Sequence, residues 1–157
     1  MSESQNTEKQ RVSVRNCTEE LLAALKCRLD KQSELVLSSL KKVKSRELCA
    51  ALTEIVDGYA GFENEVSARL GIIDECGVKE MLSHFASKIS VEMNTIIDDS
   101  DAQIVQMLIE SVTVSVTDII RLVRDFENSN CSESALSLAR EVVSFQEGAA
   151  ERLKSYL

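Results

Sequence analysis

The chain has 157 residues and a net charge of −8 at pH 7, with 44% hydrophobic residues, five Gly, no Pro and no Trp. The acidic balance argues against a nucleic-acid backbone as partner, because that binding needs clustered Lys and Arg to displace counterions. A chain of this size with so few turn formers favours one all-α domain.

Residues 1–16, MSESQNTEKQRVSVRN, are polar, carry few apolar anchors and lack the apolar core of a signal peptide. They are expected to form a flexible tail, with residues 17–157 as a single helical domain. Asn16 or Thr18 can cap a first helix over 18–43, whose opening turn carries Glu19 and Glu20 as the helix dipole prefers. Its apolar stripe is Leu21, Leu22, Leu25, Leu29, Val36, Leu40 and Val43, with a polar gap at Gln32 and Ser33. The basic run Lys41, Lys42, Lys44 and Arg46 lies across the end of this helix, where cations complement exposed carbonyls.

Ser45 caps a second helix over 45–70, and the short connection implies an antiparallel neighbour. Leu48, Leu52, Ile55, Tyr59, Phe62, Val66 and Leu70 form its stripe, and Gly58 and Gly61 lie inside it. Each interior glycine costs about 1 kcal/mol relative to alanine, so a close approach of another helix is expected there. The loop GIIDECG follows, then a less regular helical pattern from Val78 to Ile97. This reads as a shorter helix connecting two longer ones.

The string DDSD at Asp98–Asp101 supplies caps for a third long helix over 101–127. Within it, VTVSVT at Val112–Thr117 alternates with period two, as a half-buried strand does. In the wider window Ile104, Val105, Leu108, Ile109, Val112, Val116, Ile119, Ile120 and Val123 keep the helical period without Gly or Pro, so the segment is expected to be helix. After the turn-rich ENSNCSES, a last helix over 133–156 carries Leu136, Ala139, Val142, Val143, Ala149, Ala150, Leu153 and Tyr156, with a polar gap at Gln146. No run approaches the ~20 apolar residues of a membrane span, so no membrane insertion is expected.

Cys17, Cys27, Cys49, Cys76 and Cys131 are odd in number and widely spaced, without Cys-x-x-Cys or a Cys/His cluster. This reads as neither a disulfide framework nor a zinc site, and the expected compartment is the cytoplasm, with secretion lacking a cleaved signal left open. The usual catalytic tools are sparse. His84, the single histidine, sits beside Phe85 in the connecting segment; Asp74 and Glu75 disfavour a thiolate at Cys76; and there is no glycine-rich phosphate loop.

The turn region KKVKSRELCAALTEIVDGYAGFENEV, the connecting GVKEMLSHFASKIS with DDSDAQIVQMLIES, and the terminal QEGAAERLKSYL resemble small uncharacterised bacterial ferritin-like proteins. The resemblance runs from residue 18 onward and rests on helix lengths and turn positions. It implies an antiparallel four-helix bundle with a crossover helix between the second and third long helices. Metal-binding ferritin-like proteins hold iron or manganese on glutamates and Glu-x-x-His pairs. This chain has no Glu-x-x-His, and Met81 stands where the glutamate before His84 would be. A carboxylate-only metal site would draw on Glu54, Glu110 and Glu141, which flank the stripes and by base rate face water.

The expected function is therefore non-catalytic: a helical bundle with an absent or degenerate metal site and no cofactor, acting as a homo-oligomer or by binding a protein partner. Scattered apolar residues such as Val14, Leu35, Val91 and Val114 would supply contacts. The alternatives are a metal-dependent oxidase or iron-handling protein with a reduced carboxylate set, and a secreted helical effector that binds a host protein.

Overall fold

The computed structural model describes residues 2–71 and 100–157, and every regular element among them is an α-helix. In chain order these are α1 (Ser2–Leu40), α2 (Arg46–Leu70), α3 (Asp101–Glu127) and α4 (Glu133–Lys154). The protein is all-α. VTVSVT belongs to α3, where Val112, Ser115 and Ile119 are buried at helical spacing and Val114 faces solvent.

The first helix departs from expectation at its start. It begins at Ser2, where a flexible tail was expected, and Thr18 lies inside it rather than capping it. The composition explains this: Ser2–Asn16 has no Gly or Pro and several Glu, Gln, Lys and Arg, which are good helix formers. The Thr18 hydroxyl instead accepts a hydrogen bond from the Ser132 N–H at 3.0 Å. At its other end α1 stops at Leu40, and the Lys42 and Val43 N–H groups close on the Ser39 carbonyl.

Ser45 and Ser100 have extended backbone, and their hydroxyls accept from Leu48 N–H and Gln103 N–H, each at 3.3 Å. Between α3 and α4, Asn130 takes a left-handed φ of 56°, which asparagine tolerates better than most residues.

Five helix pairs are in contact: α1 with α2, α3 with α4 and α1 with α3, and to a smaller extent α1 with α4 and α2 with α4. Residue contacts give the directions. Gln32 meets Ser111 while Thr18 meets Ser132, so α1 runs against α3. Tyr59 meets Gln146 and Arg69 meets Ser134, so α2 runs against α4. Because α1 also runs against α2, α2 and α3 point the same way. The crossover helix expected over 78–97, with Cys76, Met81, His84 and Val91, lies outside the described residues.

The core is assembled mainly from the predicted stripes, with Leu21, Leu25, Leu29, Leu52, Tyr59, Leu108 and Ile119 all fully buried, and Leu138, which no predicted stripe included, is buried with them. Each leucine removed from water in this way contributes about 1.5–3 kcal/mol. Leu35, expected among the surface contacts, is buried in this core, while Leu37 and Val114 are exposed. By length and composition α3 is apolar enough to cross a membrane, with a mean hydropathy of 1.3 over its most apolar window, a test that a buried core helix also passes. Its buried side, Ile104, Val105, Leu108, Val112 and Ile119, is part of the shared core.

Two of the cysteines correct the reading of a chain without disulfides. Cys17 and Cys131 are bonded, with their Cα atoms 5.3 Å apart, joining α1 to the α3–α4 turn. Sequence spacing could not reveal a pair 114 residues apart. Cys27 and Cys49 are free thiols; burial, with Asp30 next, pushes the Cys27 thiol up, away from a reactive thiolate.

Candidate functional site

The polar gaps occupy the interior. Gln146 is 0% exposed on α4, and its Nε2 donates to the Ser115 hydroxyl at 2.9 Å and to the Tyr59 hydroxyl at 3.1 Å. Ser115 donates back to Gln146 Oε1 at 3.3 Å. Three helices thus meet in one buried hydrogen-bonded group, which is how a core tolerates an amide and two hydroxyls. Burial pushes the Tyr59 phenol up to about 12, with the hydrogen bond from Gln146 acting in the opposite direction.

A second polar pair lies between α1 and α3. Gln32 Nε2 donates to the Ser111 hydroxyl at 3.0 Å and to the Ser111 carbonyl at 3.4 Å, and the Ser111 hydroxyl returns a bond to Gln32 Oε1 at 3.4 Å. Both levels are neutral, and each amide is engaged by hydroxyls of a facing helix.

The carboxylates expected as metal ligands are elsewhere and apart. Glu54 is exposed and ion-paired with Arg152. Glu110 is exposed and accepts from Gln106 at 3.2 Å one turn away, and Glu141 is exposed on α4. The helical phase that put Glu54 and Glu110 on the flanks of their stripes also puts them in water. Among the described residues, no group of three or more His, Cys, Asp or Glu is placed to hold a metal ion.

Sequence reading missed a different carboxyl pair. Asp30 and Ser33 on α1 act on the carboxyl of Glu63 on α2, and Asp30 accepts from Lys26 Nζ at 3.1 and 3.2 Å. Ser33 is buried, and Glu63 Oε1 is inaccessible and has no hydrogen-bond partner. Burial first, and contact with Asp30 next, push the Glu63 carboxyl up to about 7. The available signal was positional: Glu63 falls between Tyr59 and Val66, both stripe residues, and Ser33 marks the gap in the facing stripe.

Two clefts mark the outer surface of α4. One, of about 330 Å³, has Ile120, Val123 and Val143 as its apolar floor and Arg124 and Arg140 beside it. Arg140 is already engaged there by Glu127 at 2.8 Å and Glu133 at 2.9 Å. The other, of about 390 Å³, lies between α2 and α4 around Phe145 and the Glu54–Arg152 pair.

No protein-family model matches the chain, and no curated protein or solved structure matches it either.

Proposed function

We propose that the protein is a ferritin-like four-helix bundle that acts through its surface, as a homo-oligomer or by binding a protein partner, and not through a metal centre in its interior. One observation carries this reading: the polar positions inside the helices are amides and hydroxyls that satisfy one another, Gln146 with Ser115 and Tyr59, and Gln32 with Ser111. Amides and hydroxyls are poor ligands for iron or manganese, which prefer carboxylate and imidazole. Glu54, Glu110 and Glu141, the carboxylates a reduced metal site would need, are exposed and do not converge.

The test combines elemental mass spectrometry with light scattering after size exclusion, on untagged protein purified natively from iron- and manganese-supplemented culture. Folded protein without stoichiometric metal, and with a mass that rises with concentration or with a bound protein, is the expected result. Near-stoichiometric metal that is lost in Glu54→Gln, Glu110→Gln or Glu141→Gln would overturn the reading in favour of the metal-dependent alternative.

The Cys17–Cys131 bond favours the second alternative over a cytoplasmic location, since such bonds persist mainly in oxidising compartments. Under this reading the bundle is an exported binding protein. Alkylation of thiols at the moment of cell lysis tests it: Cys17 and Cys131 protected in native material support export, and both labelled as free thiols support the cytoplasm.

A further inference from the structure

We propose that the cleft between α3 and α4 is a binding site for a small aliphatic monocarboxylate, whose tail lies on Ile120, Val123 and Val143 and whose carboxylate pairs with Arg124. The cleft holds about 330 Å³, at the lower end of the ~300–1,000 Å³ typical of small-ligand sites. Its lining runs from Ile120 to Glu127, about 10 Å along α3. Val123 belongs to the core and Val143 packs against it, so the apolar floor rests on the bundle interior and is formed before any ligand arrives.

The charges at the rim select the ligand. Arg140 is committed on both sides, to Glu127 at 2.8 Å and to Glu133 at 2.9 Å. Arg124, exposed in the last turn of α3, makes no ion pair or hydrogen bond among the described residues. Its position complements the helix dipole, which accounts for a cation at that end of α3 but leaves the guanidinium fork open. Glu127, one turn further on, is drawn to Arg140 instead. The lining therefore offers one uncommitted positive charge beside an apolar surface.

A carboxylate matches one guanidinium through two parallel N–H bonds, so a single free arginine satisfies it. A doubly charged phosphate would bring its second charge toward the Glu127 carboxylate in the same lining, with no second free cation to meet it. The chain as a whole carries −8, so an anion is held here by direct contact and not by a general positive field. Both walls come from one chain, and the site is independent of whether the bundle acts as an oligomer or through a protein partner.

The experiment titrates octanoate, butanoate, 1-octanol and inorganic phosphate into the full chain at pH 7, by calorimetry and by amide NMR. Octanoate is expected to bind and to shift the amides of Ile120–Glu127 and Arg140–Ser144. Butanoate, with less apolar surface to bury, should bind about tenfold more weakly or worse. 1-Octanol, which keeps the tail and lacks the charge, should lose a similar factor, and phosphate should not bind. Arg124→Gln should weaken octanoate by about tenfold and leave circular dichroism unchanged, since the side chain is exposed and unpaired. No octanoate binding at millimolar concentration, shifts confined to other surfaces, or equal affinity in wild type and Arg124→Gln would overturn the site. If Arg124→Gln does not fold, the comparison of octanoate with 1-octanol on wild type decides alone.

Discussion

The Tyr59 hydroxyl accepts a hydrogen bond from the Gln146 amide 3.1 Å away where α2 meets α4, and both side chains are 0% exposed. Gln146 also holds Ser115, so one amide joins three helices. Its removal should cost more than the removal of any single partner. Tyr59→Phe deletes one hydroxyl and leaves the Gln146–Ser115 bond, for a loss of about 1 kcal/mol. Gln146→Ala leaves two buried hydroxyls without their amide and opens a cavity, for a loss of about 2–4 kcal/mol. Urea denaturation of both single variants and the double variant checks this; additive losses would show that the two residues do not act as a unit.

Tyr59 also gives the fold an alkaline signature. Its phenol is pushed up to about 12 by burial, so the folded chain retains a proton that the unfolded chain releases near 10. Stability should therefore decline as pH rises between those values. Tyr59→Phe should flatten that decline while lowering stability at neutral pH, as read from melting temperatures at pH 8 to 11.

Gly58 and Gly61 lie within one turn of α2 but answer to different surroundings. A Cβ built on Gly58 collides with the Phe145 ring, which also packs edge-on against Tyr59 at 5.1 Å and against Phe62 at 5.4 Å. A Cβ on Gly61 meets nothing within 4 Å. Gly61→Ala should thus stabilise the protein by about 0.5–1 kcal/mol through helix propensity alone. Gly58→Ala should forfeit that gain by displacing the ring and its aromatic contacts. Thermal melts of the two variants should move in opposite directions, and equal stabilisation would show that Phe145 moves away freely.

The contrast between these glycines shows where sequence stops. Helical periodicity located α2, α3 and α4 to within two residues, because their stripes of Leu, Ile and Val are long and unbroken by Pro. The same periodicity marked Gln32 and Gln146 as polar residues on apolar faces. It could not say that Ser111, Ser115 and Tyr59 would meet them, since those partners come from other helices and depend on the angle and register of packing. That Glu63 Oε1 would be shut away from water depends on the same packing, although its place between Tyr59 and Val66 marked the residue. The residues before Cys17 are too polar to show an apolar stripe, and only their helix-forming composition signals that α1 begins at Ser2.

The Cys17–Cys131 bond closes a loop spanning 114 residues, and constraining so long a loop in the unfolded chain stabilises the fold by about 4–5 kcal/mol in the chain-entropy model. The Thr18 hydroxyl and Ser132 N–H bond lies directly beside it. Reduction, or Cys17→Ser with Cys131→Ser, should lower the urea midpoint strongly while leaving the helical circular dichroism of the folded state unchanged. A midpoint insensitive to reducing agent would show that the two thiols do not pair in solution.

Asp101 ties the first turn of α3 to the connection between α1 and α2. Its two carboxylate oxygens accept from the Lys44 and Ser45 N–H groups, each at 2.9 Å. Those bonds, the Lys44 one first, hold its carboxyl below the usual carboxylate range. A depressed value means stability that is present above the unfolded-state range and is lost as pH falls through the folded-state value. Asp101→Asn can accept only through its single carbonyl oxygen, and Asp101→Ala through none, so melting temperature should fall in that order at pH 7. The differences from wild type should shrink on acidification, because the wild-type carboxylate is itself protonated there. An Asp101→Ala deficit that stays constant into acid would assign the loss to helix capping geometry and not to the charge.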